Sequence, residues 1–314
     1  MTSSAVTVTT LSDWALHDAP SVFQTQEYLA AWWKAFGRGH LMILQASDGD
    51  RELIAPLFAD TGMIYLVGSG GSDYLDFAGG PVTDEMLVAV LAEARAQTGD
   101  FQGFCFYHVP ESSPTTAALE RVAGRLGLCL REEYSMVAPS VDFEALHGTE
   151  HPARKKSLLR HEKALAKSGD LRIIHANSGG QMMAWLPAFF EQHIERWRGT
   201  GSPSLFLDPK QRAFYQALVA SNATFLRMTR VEWNGEPAAF HFGFSYRGSY
   251  LWYKPTYART LARYSPGEVL LRHLLLAAED EGCRRFDFGL GDEAFKRRFA
   301  TSIEVVRSWG VYAR

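Results

Sequence analysis

The sequence is poor in cysteine and has no long apolar run. Its three cysteines, Cys105, Cys129 and Cys283, are widely spaced and lie in apolar segments. An odd number at such spacings favours reduced, buried thiols over a disulfide framework or a metal site. No segment is long and apolar enough to predict a membrane span, and the first residues lack the basic and apolar regions of a signal peptide. We therefore expect a cytoplasmic protein without a metal cofactor.

An excess of charge of one sign is also missing. The chain has 32 Lys and Arg against 35 Asp and Glu, for a formal net charge of -3. The whole molecule therefore has no basic field that would attract nucleic acid, and only local basic patches are left to consider. With 314 residues, 46% of them hydrophobic, the chain can fill one large core or two medium ones, and its length favours two domains.

Strand and helix signals alternate in both halves of the chain. In each half a strand and a helix are followed by a three-strand meander, a glycine-containing loop, a helix, a strand, a helix and a strand. The predicted elements include helices at about 84–97 and 268–281 and strands at about 284–289 and 303–312. The shared order predicts an α/β protein with mixed sheets, built from two similar domains, 1–145 and 146–314.

The loop Ser265-Pro266-Gly267-Glu268 follows the second meander and opens an apolar-periodic helix. Ser265 can cap the helix, Pro266 suits its first position, and Gly267 lets a backbone or a phosphate come close. Backbone N–H groups at such a helix start can hold an anion. A plain capping box between Ser265 and Glu268 explains the same residues, and its glutamate would oppose a bound phosphate.

A series of shorter motifs accompanies this loop in the second half. They are Arg154-Lys155-Lys156, His193 with Arg196-Trp197, Pro237-Ala238-Ala239, Asp287-Phe288-Gly289, and Phe295-Lys296 followed by Phe299. In this order the second half resembles the GNAT superfamily of N-acyltransferases. The whole chain resembles the tandem-domain branch, the CelD/BcsL-type proteins related to Fem-type aminoacyl transferases. The resemblance implies two GNAT-like domains: a degenerate N-terminal domain on the acceptor side and a C-terminal domain that binds the acyl donor.

The resemblance also implies where a donor would lie. Acetyl-CoA or another acyl-CoA would place its diphosphate at Ser265, Pro266 and Gly267. Its carbonyl and pantetheine arm would follow the backbone at Trp252 and Tyr253, where that strand separates from the strand at 284–289. The alternative is an aromatic strand face that simply packs against a helix.

Two side chains are candidates for the base that takes a proton from an acceptor amine. His193 shares a helix face with Trp197, beside Arg196, so that these three residues could contact a sugar or an amine together. A structural hydrogen bond is the alternative role for His193. Asp287 ends a strand, where open sheets present chemical groups, or else it braces the loop at Gly289.

Four more residues are candidates for acceptor contacts. Lys296, on the last short helix, could pair with a phosphate or a carboxylate. Arg160 belongs to a basic helix face that could hold a diphosphate or approach anionic lipid headgroups. Asp73 and Tyr74 lie in a glycine-rich loop of the first half and could bind a hydroxyl or an amine. A solvated basic face and a turn-forming aspartate are the simpler explanations.

Together these patterns predict a cytoplasmic N-acyltransferase that moves an acyl group from acyl-CoA to an amine. We expect the acceptor to be an amino sugar of an exopolysaccharide or cell-envelope precursor, free or linked to a lipid or nucleotide, with peripheral membrane contact left open. One alternative is Fem-type transfer from aminoacyl-tRNA to a peptidoglycan precursor, the only case in which a nucleic acid would take part. The other is a catalytically inert tandem-GNAT module that binds a glycan or a protein.

Overall fold

The computed structural model describes residues 6–14, 16–80, 82–146 and 151–313. The chain forms two compact units, one of residues 1–138 together with 304–314, and one of residues 139–303. Both units combine helices with a mixed sheet, which confirms the predicted fold class. The last strand belongs to the first unit although it follows the second in the chain. The functional division into an acceptor-side domain 1–145 and a donor-binding domain 146–314 stays a prediction.

Thirteen strands and eight α-helices follow one another along the described residues. The strands are β1 (Thr7–Thr10), β2 (His40–Asp48), β3 (Arg51–Asp60), β4 (Met63–Leu66), β5 (Ala78–Gly79), β6 (Gly103–Pro110), β7 (Leu128–Asp142), β8 (Leu171–His175), β9 (Leu226–Trp233), β10 (Glu236–Tyr246), β11 (Ser249–Tyr257), β12 (Arg285–Asp287) and β13 (Ser302–Ala313). The helices are α1 (Gln26–Phe36), α2 (Asp84–Ala96), α3 (Pro114–Arg125), α4 (Lys156–Ser168), α5 (Gly179–Trp197), α6 (Pro209–Ala220), α7 (Pro266–Asp280) and α8 (Ala294–Phe299).

The sheet of the first unit has the order β1-β2-β3-β4-β6-β13-β7, and β4 and β6 are parallel. Local sequence explains where its helices begin. The hydroxyl of Thr83 accepts a hydrogen bond from the N–H of Met86 at the start of α2, and Pro114 follows the cap Ser113 at the start of α3. The apolar faces of these helices are buried, which anchors them to the core.

The sheet of the second unit has the order β12-β11-β10-β9-β8, and residues 140–142 of β7 pair with β12 at its edge. Apolar residues of α7 and α4 share one core with one face of this sheet. On the other face, Phe189 of α5 and Tyr215 of α6 contact Phe242 of β10. Burial on both faces requires the nearly continuous apolar sequence that β10 shows.

All three cysteines are free. Cys105 and Cys283 are buried, as expected, and burial raises the pKa of both thiols. Cys129 is exposed, so the expectation that it is buried was wrong. Its strand, β7, has a run of exposed residues after Leu128, and the side chain therefore reaches solvent.

Candidate active site

The strands β11 and β12 separate after three pairs of residues. Their parallel pairing runs from Ser249 opposite Arg285 to Leu251 opposite Asp287. There β12 ends, whereas β11 continues to Tyr257. From residue 252 onward β11 therefore has no strand partner on this side among the described residues. The predicted separation of these strands is confirmed, and we call this gap in the strand pairing, beside β11 from residue 252 onward, the opening.

A β-bulge lies on the other side of β11, at the level of the separation. The register with β10 shifts between Phe242 and Phe244, so that Trp252 and Tyr253 together face Gly243. The fully buried His241 spans this irregularity, because the N–H of Tyr253 donates to its Nε2 over 3.3 Å. Burial lowers the pKa of His241 to about 3, so its ring is neutral at pH 7.

Sequence reasoning missed His241. The only signal was a histidine two residues before a glycine inside an otherwise apolar strand.

The side chains of Trp252 and Tyr253 are buried in the cores on opposite faces of the sheet. The ring of Trp252 stacks on His241 at 5.5 Å between centroids, and that of Tyr253 lies 5.0 Å from Phe244. The side chains of Trp252 and Tyr253 thus pack in the core, which is the alternative role considered from the sequence. The N–H of Tyr253 points to His241 and not to the opening, contrary to the expectation that this group is exposed. Contact of the two residues with a donor stays a prediction.

The loop before α7 does not form a capping box. Ser265 adopts a left-handed conformation with φ of 53°, and its side chain makes no cap hydrogen bond. The carboxylate of Glu268 turns away to His161 Nδ1 at 2.7 Å and to Arg298 at 2.6 Å. Although burial opposes it, these two hydrogen bonds lower the pKa of Glu268. The capping-box interpretation was therefore wrong.

The start of α7 offers few free N–H groups to an anion. Pro266 has none, and those of Glu268 and Val269 donate to the carbonyl oxygen of Ser265 at 2.9 and 3.3 Å. In the described part of the chain only the N–H of Gly267 is left without a partner at this helix start. A Cβ at Gly267 would lie 3.3 Å from the ring of Tyr257, so this glycine packs against the end of β11.

His193 is a buried, neutral histidine near the end of α5. Its Nδ1 lies 2.8 Å from the hydroxyl of Ser204, the structural hydrogen bond considered from the sequence. Burial, followed by the positive charges of Lys254 and Arg196, lowers its pKa to about 4. A neutral imidazole can accept a proton, so this geometry is compatible with a base, and the catalytic role of His193 stays a prediction.

Arg196 connects the end of α5 with the end of β11. Its guanidinium carbon lies 4.4 Å from the ring centroid of Tyr257 and 5.3 Å from that of Trp197. Because Tyr257 also touches Gly267, these contacts bring Arg196 and Trp197 near the start of α7. We call Arg196, Trp197, His193, Lys254 and Tyr257 the α5–β11 cluster. The structure thus groups three of the predicted site residues, His193, Arg196 and Trp197, beside the opening.

Asp287 and Lys296 both hold the loop that follows β12. Oδ1 of the buried Asp287 accepts a hydrogen bond from the N–H of Gly289 over 2.8 Å, the bracing role considered from the sequence. Lys296 is only 5% exposed, and its Nζ lies 2.7 Å from the carbonyl oxygen of Leu290 and 2.9 Å from Glu293. The explanation of Lys296 as a solvated residue was therefore wrong. Their contacts with substrate stay predictions.

The remaining predicted residues lie on other surfaces. Arg160 is exposed on α4, as a solvated basic face requires. Asp73 and Tyr74 are half-buried in the first unit, where the ring of Tyr74 lies 6.0 Å from that of Phe23. The neighbouring Asp76 is buried and accepts hydrogen bonds from the hydroxyls of Ser113 and Thr115, which fix the loop. Substrate contacts of Arg160, Asp73 and Tyr74 stay predictions.

The first unit contains a similar separation of parallel strands, but its own chain occupies it. β4 and β6 pair only from Met63 opposite Gly103 to Tyr65 opposite Cys105. Beyond that point, the N–H of Leu75 donates to the carbonyl oxygen of His108 over 3.0 Å. Nδ1 of His108 lies 2.7 Å from the carbonyl oxygen of Ser72. The glycine-rich loop thus binds the edge of β6 beyond the point where its pairing with β4 stops.

Metal-binding clusters and membrane-spanning helices are both missing from the described ranges. These ranges contain no group of three or more His, Cys, Asp or Glu side chains arranged to hold a metal ion. None of their helices combines the length and the apolar character that a transmembrane span requires.

The segment with the separated strands, the bulge and α7 matches a known family. Residues 152–297 match the family model of the acetyltransferase (GNAT) domain. This match supports the GNAT superfamily and a GNAT-type, acyltransferase-like second unit. No curated protein matches the sequence.

Solved structures share the fold over both units. FemX is similar with a TM-score of 0.62 and 12% identity, over 95% of this chain and 93% of that one. L-PGS from Bacillus licheniformis has a TM-score of 0.59 and 11% identity, with 92% of each chain covered. A tandem GNAT protein from the clavulanic acid biosynthesis pathway has a TM-score of 0.52 and 11% identity, over 98% of this chain and 99% of that one. At these identities the likeness shows a shared tandem fold.

Proposed function

We propose that the protein is an N-acyltransferase of the tandem-domain, CelD/BcsL-type branch and moves an acyl group from acyl-CoA to an amine. The observation that carries the proposal is the opening between β11 and β12, which lies beside the start of α7 in the GNAT-like unit. An extended pantetheine arm could add to the unpaired edge of β11 as a further strand would. In the first unit the separation of β4 and β6 is occupied by a loop of that unit, which supports a single donor site per chain.

In this proposal the chain positions two reactants and accepts one proton. The acceptor nitrogen attacks the thioester carbonyl carbon, a C–N bond forms, and the C–S bond breaks. Neutral His193, directly or through a water molecule, takes the proton that the nitrogen loses, and the leaving thiolate is protonated. The carboxylate of Asp287, which also fixes the loop at Gly289, is the second candidate to take this proton, directly or through a water molecule.

The proposed acceptor is an amino sugar of an exopolysaccharide or cell-envelope precursor, met in the cytoplasm. Asp73 and Tyr74 stay candidates for contacts with its hydroxyl or amine groups. The exposed basic face of α4, which includes Arg160, would attract a diphosphate or anionic lipids if the acceptor is lipid-linked. Lys296 would act indirectly, because its ammonium group is already bound within the loop after β12.

Aminoacyl-tRNA is the second candidate donor. The specific observation in its favour is the start of α7, where one N–H group is free for the diphosphate of CoA. The folds of FemX and L-PGS are also similar to this chain. Aminoacyl-tRNA carries its acyl group on a ribose ester and has no diphosphate at the end of a pantetheine arm, so it would place fewer demands on this loop.

A binding and transfer experiment tests the proposal. The protein is titrated calorimetrically with CoA and then incubated with radiolabelled acetyl-CoA or aminoacyl-tRNA and a panel of amino sugars. We expect CoA to bind at one site per chain and the label to appear on an amino sugar. Label transfer from aminoacyl-tRNA alone would replace the donor by the second candidate. No binding at millimolar CoA and no transfer from either donor would indicate an inert binding module.

A further inference from the structure

One half-buried arginine differs from the other six in the described residues. Six of the seven half-buried arginines have a carboxylate within 4 Å. They are Arg212 with Glu191, Arg227 with Glu281, Arg230 with Glu232, Arg272 with Glu162, Arg285 with Asp287 and Arg307 with Glu111. The seventh, Arg196, has no carboxylate partner in the described chain. A partly desolvated charge without a counter-charge is unfavourable, so this exception requires an explanation.

The acidic residues nearest to Arg196 on its own helix are already engaged. Glu195 lies 2.9 Å from Arg198, and Glu191 lies 3.4 Å from Arg212. Lys254 and Arg196 are the two positive charges that act on the neighbouring His193. Within the described residues, the charge of Arg196 therefore has no carboxylate within 4 Å to balance it.

The residue next to Arg196 carries a buried hydrogen-bond donor without an acceptor among the described atoms. The indole Nε1 of Trp197 is buried and has no partner among the described atoms, although its ring lies beneath the guanidinium. A buried N–H that lacks an acceptor is unfavourable by itself. A buried N–H without an acceptor, next to an arginine without a carboxylate partner in the described chain, indicates that the missing partner is an acceptor, and a charged one.

The position of the guanidinium suits an oxyanion. The guanidinium carbon lies over the rings of Tyr257 and Trp197, within the distances of cation–π contact. These contacts engage the faces of the two rings and no carboxylate, so the N–H groups can form two parallel hydrogen bonds to the oxygens of a phosphate or a carboxylate. The rings thus orient Arg196 before a ligand arrives.

We propose that Arg196, assisted by the indole N–H of Trp197, binds an oxyanion that one of the two substrates carries. The inference rests on the proposed function only in naming a substrate as the carrier. Two sources share this chemistry. The diphosphate of the donor is favoured by the contact of Tyr257 with Gly267, and an acid group on the acceptor is favoured by the neighbouring His193.

The donor source is tested by calorimetric binding of three probes: inorganic pyrophosphate, CoA, and pantetheine, which lacks the phosphates. Each is measured with the wild type, Arg196→Gln, Arg196→Lys and the control Arg198→Gln. The control removes an equal charge two residues away from an exposed, ion-paired position. We expect Arg196→Gln to weaken the binding of pyrophosphate and CoA about tenfold or more and Arg196→Lys to weaken it less. The binding of pantetheine should not change in either variant.

The acceptor source is tested by the same variants with glucosamine 6-phosphate and glucosamine. If Arg196→Gln loses affinity only for the phosphorylated sugar, the result supports the proposal and assigns the anion to the acceptor. If it loses affinity only for pyrophosphate and CoA, the result supports the proposal and assigns the anion to the donor. In both cases raising the salt concentration should reduce the difference in affinity for the charged probe between wild type and Arg196→Gln.

Three results would overturn the inference. Arg196→Gln could weaken the binding of charged and neutral probes equally, Arg198→Gln could weaken binding as much as Arg196→Gln does, or no charged probe could bind at millimolar concentration. The outcome is separable from that of the proposed function. If pyrophosphate binding depends on Arg196 but no acyl group is transferred, the anion site stands and the function fails. If acyl transfer occurs with unchanged constants in Arg196→Gln, the function stands and this inference fails.

Discussion

Nε2 of His241 lies 3.3 Å from the backbone nitrogen of Tyr253, so a side chain completes the sheet where the backbone of β10 does not. Gly243 makes this possible. A Cβ at that position would lie 2.3 Å from Cε1 of His241 and 2.3 Å from the carbonyl oxygen of Leu251. The imidazole thus occupies the space that any side chain at residue 243 would need. The same level of β11 is where it leaves β12, so His241 and Gly243 support the strand that borders the opening.

Replacing His241 by Phe should destabilise the protein by about 1–3 kcal/mol, because the two buried backbone groups that Nε2 contacts, the N–H of Tyr253 and the carbonyl oxygen of Leu251, would lose their side-chain partner. Phe keeps a ring that can stack on Trp252, whereas Gln offers an amide oxygen near the position of Nε2. Urea denaturation should therefore rank the free energies of unfolding as wild type, His241→Gln, His241→Phe. Equal stability of Gln and Phe variants would show that the hydrogen bond to Tyr253 contributes nothing.

The substitution Gly243→Ala should cost about 1–3 kcal/mol, as overpacking of a well-filled core does. Gly180→Ala is the matched control, since Gly180 lies in α5 and a Cβ added there would have no atom within 4 Å. In the control, alanine should be neutral or stabilising because it suits a helix better than glycine. Thermal denaturation of both variants tests the difference, and a Gly243→Ala protein as stable as its control would contradict the crowded geometry.

Local patterns in the sequence predict the helices and most strands of this fold. The helix expected at about 84–97 is observed as α2, because its apolar period and the cap at Thr83 are both local signals. The strand expected at about 303–312 is observed as β13, but its inclusion in the first unit depends on pairing with β6, which lies far earlier in the chain. The order of the elements along the chain does not predict which distant strand pairs with β13.

The candidate site was less predictable than the fold for the same reason. Lys296 carries the sequence signature of a solvated basic helix, yet a loop carbonyl from Leu290 returns to bind it. Glu268 fits a capping box, yet His161 and Arg298 come from distant segments to hold its carboxylate. His193, Arg196 and Trp197 were found because they lie within about one turn of one helix, where spacing in sequence fixes spacing in the structure.

Replacing His193 by Ala should lower kcat far more than it weakens CoA binding, if His193 takes the proton of the amine. Because burial and two positive neighbours lower its pKa to about 4, the acid limb of the kcat/KM profile should fall near that pH and not near 6.5. Steady-state kinetics between about pH 3.5 and pH 8, chosen to span both values, provides the measurement. A limb near 6.5, or an unchanged kcat in the alanine variant, would remove His193 from the mechanism.

The same lowered pKa makes His193 a source of acid sensitivity. The unfolded chain binds a proton near its ordinary pKa of 6.5, whereas the folded protein resists protonation down to about pH 4. Above about pH 6.5 the ring is neutral in both states and costs no stability. As the pH falls towards 4, protonation of the unfolded chain progressively lowers the free energy of unfolding. Replacement by Asn, which does not titrate, should flatten this part of the curve of unfolding free energy against pH. An unchanged slope would mean that His193 titrates alike in both states.

Glu268 should affect stability and anion binding in opposite directions. Its pKa is lowered in the folded state, so its contribution is present above the pKa of the unfolded chain and is lost as the pH falls through the folded pKa. Glu268→Gln should therefore reduce the free energy of unfolding at pH 7 by about 1–2 kcal/mol and flatten its decline in acid. It should also strengthen pyrophosphate binding, because a carboxylate at the start of α7 is removed and Arg298 and His161 are released. Denaturation curves and calorimetry on one preparation give both quantities, and a variant that loses both stability and pyrophosphate affinity would show that Glu268 organises the loop instead of opposing its ligand.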